Sequence, residues 1–477
     1  MDGIEKTIQI PIAIRKKTLL TDHLPLGERR TKKASRWIEN ELSVFDPLHS
    51  LIIITTRPKI KGFVDHDCRK GTLGVNIPEY IERPLYLERI MPYVGKGIMK
   101  ILVGQRRVGK SYMLFQLMDR ISERDPGGRR IYINKELHEF TALRQAKDLL
   151  EYVGRRREPG RSLYLFIDEL QEIEGFEHAL RSLQAEGDVD IYATGSNAKL
   201  LSGELASYLS GRYVEVKVHG LTYNEFLRFH NLARGRESLT AFMKFGGLPF
   251  LRHLVLEESV VFEYLRNIAD AILLKDIAGR YEIRNVSFLQ RLTRFLADNV
   301  GNIVTARKIS EYLKSQKIKV SHNLVIDYLS YLTNAMLVLV ARRYDVVGKQ
   351  IFEIGEKYYF EDLGIRHALV GFRATDINKI LENTVFVHLK TAGYDVTVGR
   401  IGKREIDFVC EKSGERIYVQ VAYTITDDAV RDREFGNLLK IQDNFPKMVV
   451  TMDDAAGGNY QGIEHIHMED FLLSVTS

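Results

Sequence analysis

Gly104-Gln105-Arg106-Arg107-Val108-Gly109-Lys110-Ser111 is the stretch on which the reading of this 477-residue chain turns. It has the form G-x-x-x-x-G-K-[ST]. The apolar run Lys100-Ile101-Leu102-Val103 leads into it and an amphipathic segment, 112–121, leaves it. Strand, loop and helix in that order make a phosphate cradle. Glycines let the backbone close around the anion, while amide N–H groups and the helix N-terminus supply the complementary partial charge. Gly104 to Ser111 and the adjoining Tyr112 are therefore the candidate nucleotide-binding residues. Lys110 is placed for the β- and γ-phosphates and Ser111 for Mg²⁺.

Downstream, Leu163-Tyr164-Leu165-Phe166-Ile167 ends in Asp168-Glu169. An apolar strand that finishes on two carboxylates is costly to bury unless something binds them. Asp168 is the second candidate metal residue, reaching Mg²⁺ through water. Glu169 is the candidate that polarises an attacking water, and such a pair favours hydrolysis over small-molecule phosphorylation. No N-K-x-D guanine signature occurs, so ATP is the expected nucleotide. Ile191-Tyr192-Ala193-Thr194-Gly195 runs into Ser196 and Asn197, placed to feel a γ-phosphate or simply to cap a helix. Arg212, just before the run 213–218, is positioned to reach a phosphate across a subunit interface, or to serve as an ordinary surface cation. Arg106 and Arg107 in the loop itself carry the same ambiguity.

Composition bounds the rest. Hydrophobic residues make up 45% and charged residues 28%, as in ordinary globular domains. No apolar run approaches the roughly 18 residues of a membrane span, and the first residues lack the basic-then-apolar order of a signal peptide. Two cysteines, Cys68 and Cys410, stand far apart without histidines at ligand spacing, which argues against a disulfide framework or structural zinc. The cytoplasm is the expected compartment. Of the net charge of +6, residues 1–75 hold +5, from 14 Lys/Arg against 9 Asp/Glu. A nucleic-acid footprint in the remainder must therefore be a local patch.

Residues 77–219 alternate short apolar runs (99–103, 130–133, 163–167, 189–193 and 213–218) with amphipathic segments. That is the pattern of a parallel sheet covered on both faces. From 221 to about 281 the chain reads as helical, broken at Gly246-Gly247-Leu248-Pro249. Three helices (286–298, 305–315, 321–335) and two strands (336–340, 357–360) follow, the order of a winged helix. A helix over 377–392 with strands at 394–399, 406–410, 417–423 and 448–452 makes a small α/β unit.

With Gly220-Leu221-Thr222-Tyr223-Asn224-Glu225-Phe226 and Phe245-Gly246-Gly247-Leu248-Pro249 added, residues 77–475 resemble the AAA-type P-loop ATPases of the prokaryotic archaeal-ATPase lineage. The resemblance implies an α/β fold with four parts: an AAA-like P-loop core with a parallel sheet (77–219), a helical lid (220–283), a winged-helix domain (284–361) and a restriction-endonuclease-like domain (362–477). Residues 1–76, read from their composition as a basic, weakly structured extension, lie outside it. The resemblance also implies ATP and Mg²⁺ as cofactors. In the nuclease-like part, Glu382 and Asp407 stand where acids are wanted, but Gln420-Val421-Ala422 replaces the acid-x-Lys element. The expectation is a nuclease-like fold that does not cut, with Lys403 and Lys412 as the lysines that could make good the loss. The segment 321–328, expected to be the recognition helix, has little positive charge, although Lys314, Lys317, Lys319, Arg342 and Arg343 flank it. Both DNA and protein stay open as partners through these two domains, as does a homo-oligomer. The leading reading is an ATPase whose cycle repositions the C-terminal domains. The alternatives are an ATP-dependent binding switch with negligible turnover and an ATP-gated nuclease.

Overall fold

Five strands of the first half, β1 (Met99–Val103), β2 (Arg129–Asn134), β3 (Leu163–Asp168), β4 (Val189–Gly195) and β5 (Tyr213–Lys217), form one sheet in the order β2-β3-β4-β1-β5. Every pairing is parallel. The computed structural model describes residues 78–196, 209, 211–315, 320–348, 350–454 and 456–474. The expected extension at 1–76, Asn197, Lys317 and Lys319 lie outside them. Successive side chains of a strand feed opposite faces, and each face has its own core. Leu163, Leu165 and Ile167 of β3 join one core, while Tyr164 and Phe166 join the other. A buried ion pair interrupts this apolar packing. Lys100 of β1 is fully buried, ion-paired to Asp190 and set over the Tyr192 ring at 4.3 Å.

Beyond β5 the chain is helical, with Tyr223–His230, Arg236–Phe245 and Glu258–Ala271, the last continuing into a π-helical turn, Ile272–Gly279. The first helix opens on a capping box. The Glu225 amide donates to Thr222 Oγ1 (3.2 Å) and the Thr222 amide donates to the Glu225 carboxylate (2.9 Å). Val286–Asp298, Ala306–Ser315 and His322–Asn334 are the three helices the sequence predicts. The following strand begins at Val338, because buried Met336 takes a left-handed backbone (φ 53°) and turns the chain first.

The second sheet holds β6 (Ile303–Val304), β7 (Val338–Asp345), β8 (Gln350–Phe360), β9 (Asp395–Ile401), β10 (Arg404–Lys412), β11 (Glu415–Val421), β12 (Lys447–Thr451), β13 (Gly458–Tyr460) and β14 (Ile463–His467). Its order is β13-β14-β12-β11-β10-β9-β7-β8-β6. The parallel pair β7–β9, with Arg343 opposite Val398 and Asp345 opposite Arg400, makes the sheet continuous across residues 361 and 362. Between β8 and β9 lie the helices Leu363–Val370, which Asp362 caps, and Ile377–Ala392. One apolar core runs from Leu102 and Phe166 of the first sheet through Leu265, Leu292 and Leu332 to Phe386, Phe408 and Val419. No helix among the described residues is long and apolar enough to cross a membrane.

A single buried arginine ties the segment before β1 to three other parts of this fold. Arg83 Nε and Nη2 each donate to the Glu225 carboxylate at 2.8 Å. Nη1 donates to the carbonyls of Val108 and His219 at 3.1 Å, and Nη2 to that of Gly220 at 2.9 Å. All five N–H donors are thereby used. Replacing Arg83 by Met leaves Glu225 buried without a counter-charge. That vacancy costs on the order of 3–5 kcal/mol, measurable as a lowered midpoint in chemical denaturation of the full chain.

Candidate functional site

The loop 104–111 leaves the carboxyl end of β1 and enters the helix Lys110–Arg124. Glycine is required at its two ends for different reasons. A Cβ on Gly104 would lie 2.3 Å from the Val218 carbonyl, and Gly109 has a left-handed backbone (φ 97°) as the residue preceding the helix. Lys110 is buried, and its Nζ donates back to the carbonyls of Gly104 (2.9 Å) and Gln105 (3.1 Å). Burial lowers the pKa of this ammonium, opposed by the Glu169 and Asp168 carboxylates. The cation is held in the mouth of its own loop, where an anion would complete its solvation.

β3 delivers the carboxylates. Asp168, at its last position, is buried and accepts from Thr194 and Ser111; burial still dominates and raises its pKa. Glu169 has a left-handed backbone (φ 58°), a conformation that costs a non-glycine residue roughly 1–2 kcal/mol. Its amide donates to Thr194 Oγ1 at 3.1 Å, Ser196 Oγ donates to its carboxylate at 2.9 Å, and the Gln171 amide binds the other carboxylate oxygen. Burial favours the neutral acid, but Lys110 and these two hydrogen bonds outweigh it and hold the Glu169 carboxyl below its ordinary pKa. Asp168 and Glu169 are thus adjacent in sequence but shifted in opposite directions, a divergence typical of sites with divided acid–base roles.

These groups open into a cleft of about 180 Å³. Arg106, Lys110, Ser111, Glu169 and Ser196 line it from the loop side. Tyr80 and Ile81 line it from the segment before β1, and Phe229, Pro249, Phe250 and Arg252 from the helical region. Phe250 stacks on Tyr264 with ring centroids 5.1 Å apart, and Arg252 sits over Phe229 at 5.9 Å. Anion-binding groups and aromatic faces in one cleft suit a nucleotide, whose phosphates and base need these two surfaces. Sequence reasoning missed the aromatic contributors. Nothing local marks them, although the Gly246–Pro249 signal stands just before Phe250. It also missed Asp276 of the π-helical turn, which grips Arg106 with both oxygens (2.9 and 2.7 Å).

Arg212 lies elsewhere. Its carbonyl accepts from the Met99 amide at 2.9 Å, so it stands beside the start of β1. The loop leaves the other end of that strand, roughly 16 Å away at the usual rise per residue. The structure does not bring Arg212 together with Lys110 in one chain, and Tyr112 points a half-exposed ring at the cleft rim.

Against the second sheet, Glu382 of the helix Ile377–Ala392 and buried Asp407 of β10 do belong to one cluster, completed by a lysine that the sequence does not single out. Lys357 of β8 puts its Nζ 2.7 Å from Glu382 and 2.8 Å from Glu405. Asp407 accepts from the Val421 amide at 2.8 Å, and burial, then the Glu382 charge, raises its pKa strongly. Gln420 accepts from the Asp407 amide and donates to Glu434 at 3.0 Å, while Ala422 is buried against β12. Lys403 and Lys412 are exposed and outside the cluster. Among the described residues no group of three or more His, Cys, Asp or Glu is arranged to hold a metal.

Comparison with known proteins places these features. Residues 96–227 match the profile of an AAA domain, and residues 236–376 match that of a domain of unknown function. A Haemophilus influenzae protein is 36% identical over 399 residues, covering 82% of this chain and 98% of its own length. A Methanocaldococcus jannaschii protein is 28% identical over 394 residues, covering 78% of this chain and 85% of its own. Among solved structures, the Aeropyrum pernix ORC1 protein in complex with DNA aligns with 63% of this chain and 95% of its own at 14% identity, with a TM-score of 0.30.

Replacing Lys110 by Ala removes the ammonium held in the mouth of the loop. ATP affinity is expected to fall about 100-fold, as read by calorimetric titration. Unchanged affinity would mean that the phosphates bind elsewhere.

Proposed function

We propose that this chain, which belongs to the family of the Haemophilus influenzae protein and carries an AAA domain over residues 96–227, binds ATP with Mg²⁺ in the loop cleft and hydrolyses it. The observation that carries the reading is the carboxylate of Glu169. It is kept ionised, left-handed in its backbone and hydrogen-bonded by Ser196 and Gln171 beside a desolvated Lys110.

The donor set fits Mg²⁺, a hard cation usually held by one or two carboxylates, a hydroxyl and the substrate phosphates. Ser111 and Asp168, already in contact, would hold it, and Asp168's unfavourable burial would be relieved by the charge. When bound, the ion neutralises phosphate charge. Lys110 exchanges the carbonyls of Gly104 and Gln105 for phosphate oxygens. The loop amides and the helix N-terminus share the negative charge. Glu169 orients and polarises the attacking water, with Ser196 fixing its carboxylate. The aromatic side of the cleft receives the base.

Arg212 serves a neighbouring copy in this proposal, because its own loop lies at the far end of β1. The hydrolytic cycle acts on residues 284–477 as a winged-helix and a nuclease-like unit that binds without cutting. Lys357 occupies the carboxylates there, and Gln420 and Ala422 supply neither acid nor base. Residues 280–345 hold 11 Lys/Arg against 5 Asp/Glu, a local excess that supports a nucleic-acid partner.

Two substitutions test the chemistry. Glu169→Gln keeps ATP affinity and lowers turnover by about 10²–10⁴-fold; wild-type turnover would remove Glu169 from the role. Arg212→Ala lowers turnover without weakening ATP binding. Mixing it with Lys110→Ala protein restores part of the activity, since one partner supplies an intact arginine and the other an intact loop. No recovery in mixtures would exclude action between copies.

A further inference from the structure

Arg106 is the third residue of the phosphate loop, and its guanidinium is fully engaged on one edge. Nε and Nη2 donate to the two oxygens of Asp276 at 2.9 and 2.7 Å, in a mostly buried pair. Nη1 makes no hydrogen bond to the described residues, yet the side chain lines the cleft with Lys110 and Glu169. Asp276 belongs to the π-helical turn Ile272–Gly279, and is buried there with Ile272, Leu273 and Ile277. Such turns are rare and recur at functional sites. Immediately after it, Tyr281 stacks on Tyr331 of the helix His322–Asn334, ring centroids 3.8 Å apart, and accepts a hydrogen bond from Asn334 at 3.3 Å. The ion pair thus ties the phosphate loop to the turn that leads into this ring stack.

We propose that Arg106 and Asp276 are the residues by which the site distinguishes a nucleoside triphosphate from a diphosphate. This rests on the reading of the cleft as a nucleotide site. A guanidinium fork binds carboxylate and phosphate by the same geometry, so a terminal phosphate competes with Asp276 for Arg106. A diphosphate, one phosphoryl group shorter, leaves the pair intact. With a triphosphate bound, Arg106 turns to the anion and Asp276 loses the guanidinium that pairs with it inside a buried turn. The turn, and Tyr281 behind it, is then released from the phosphate loop. Asp276 is a positioning residue in this scheme: it sets the affinity difference by holding Arg106 back.

The test uses the full chain and two probes, ADP and the non-hydrolysable β,γ-imido analogue of ATP. Asp276→Asn, nearly isosteric, removes the competing charge and raises affinity for the triphosphate analogue about tenfold while moving ADP affinity little. Arg106→Ala lowers analogue affinity about tenfold, again with ADP little changed. In the double variant the Asp276→Asn gain disappears, because its effect passes through Arg106. A second measurement needs no variant. Amide exchange across 272–279 of the wild-type protein rises with the analogue and not with ADP. Equal shifts for both nucleotides, additive effects in the double variant, or exchange indifferent to the terminal phosphate would each overturn the proposal. If the wild-type chain bound neither nucleotide, the ATP reading would fall with it. If it bound both while the ratio stayed fixed in the variants, this inference alone would fail.

Discussion

Arg83 is the point on which the rest of the structure depends. A guanidinium taken out of water is tolerated only when its donors are met, and all five are met by groups from three otherwise separate places. Val108 belongs to the phosphate loop, His219 and Gly220 to the exit of the first sheet, and Glu225 to the first helix beyond it. Because the acceptors are mostly backbone carbonyls, no substitution nearby can replace them, and the geometry of the loop is fixed to that of the helical region. Glu225 does double duty, because its carboxylate also accepts from the amide of the capping residue, Thr222. The same carboxylate therefore decides where that helix begins and how it sits against the loop.

The cleft shows the same logic with the accounts left open. Lys110 is bonded to two carbonyls of its own loop, and Asp168 is buried with its pKa raised. Both groups are less comfortable than they would be in water, in a direction that a bound polyanion and its cation would reverse. Glu169 differs: it is already stabilised as the anion. On the proposed reading, with Glu169 as the base, a site of under-solvated binding groups needs little reorganisation at the moment of reaction.

How much of this was legible in the sequence follows from the range of each interaction. The helices Val286–Asp298 and Ile377–Ala392 have the bounds the sequence predicts, and the strand before Glu169 runs one residue further, because period, caps and turn residues are local signals. Asp276, Lys357 and Tyr80 were invisible. Each acts on a partner far along the chain, Arg106, Glu382 and Asp119 respectively, and no spacing rule connects them. Lys357 is the instructive case. Lys403 and Lys412 are the lysines close to Asp407 along the chain, whereas the fold supplies Lys357 from β8. The same blindness hid the β7–β9 pairing, since a parallel strand pair has no turn to announce it.

A continuous core limits what any nucleotide cycle can do to the second half of the molecule. Apolar contact runs unbroken from the first sheet through the helices 258–271, 286–298 and 322–334 to β10 and β11. Swinging those parts apart as rigid domains would expose much of that surface, at roughly 25 cal/mol for each Å². An exchange at one phosphate supplies only a few kcal/mol. Motion must then take the form open to packed interfaces, a small shift or rotation of helices that keeps apolar contact throughout. The π-helical turn is suited to that. It packs Ile272, Leu273 and Ile277 into the core, holds Asp276 on the same buried side with its partner in the cleft, and leads directly to the ring pair Tyr281–Tyr331. A change of an ångström or two there reaches the helix His322–Asn334 without opening the core.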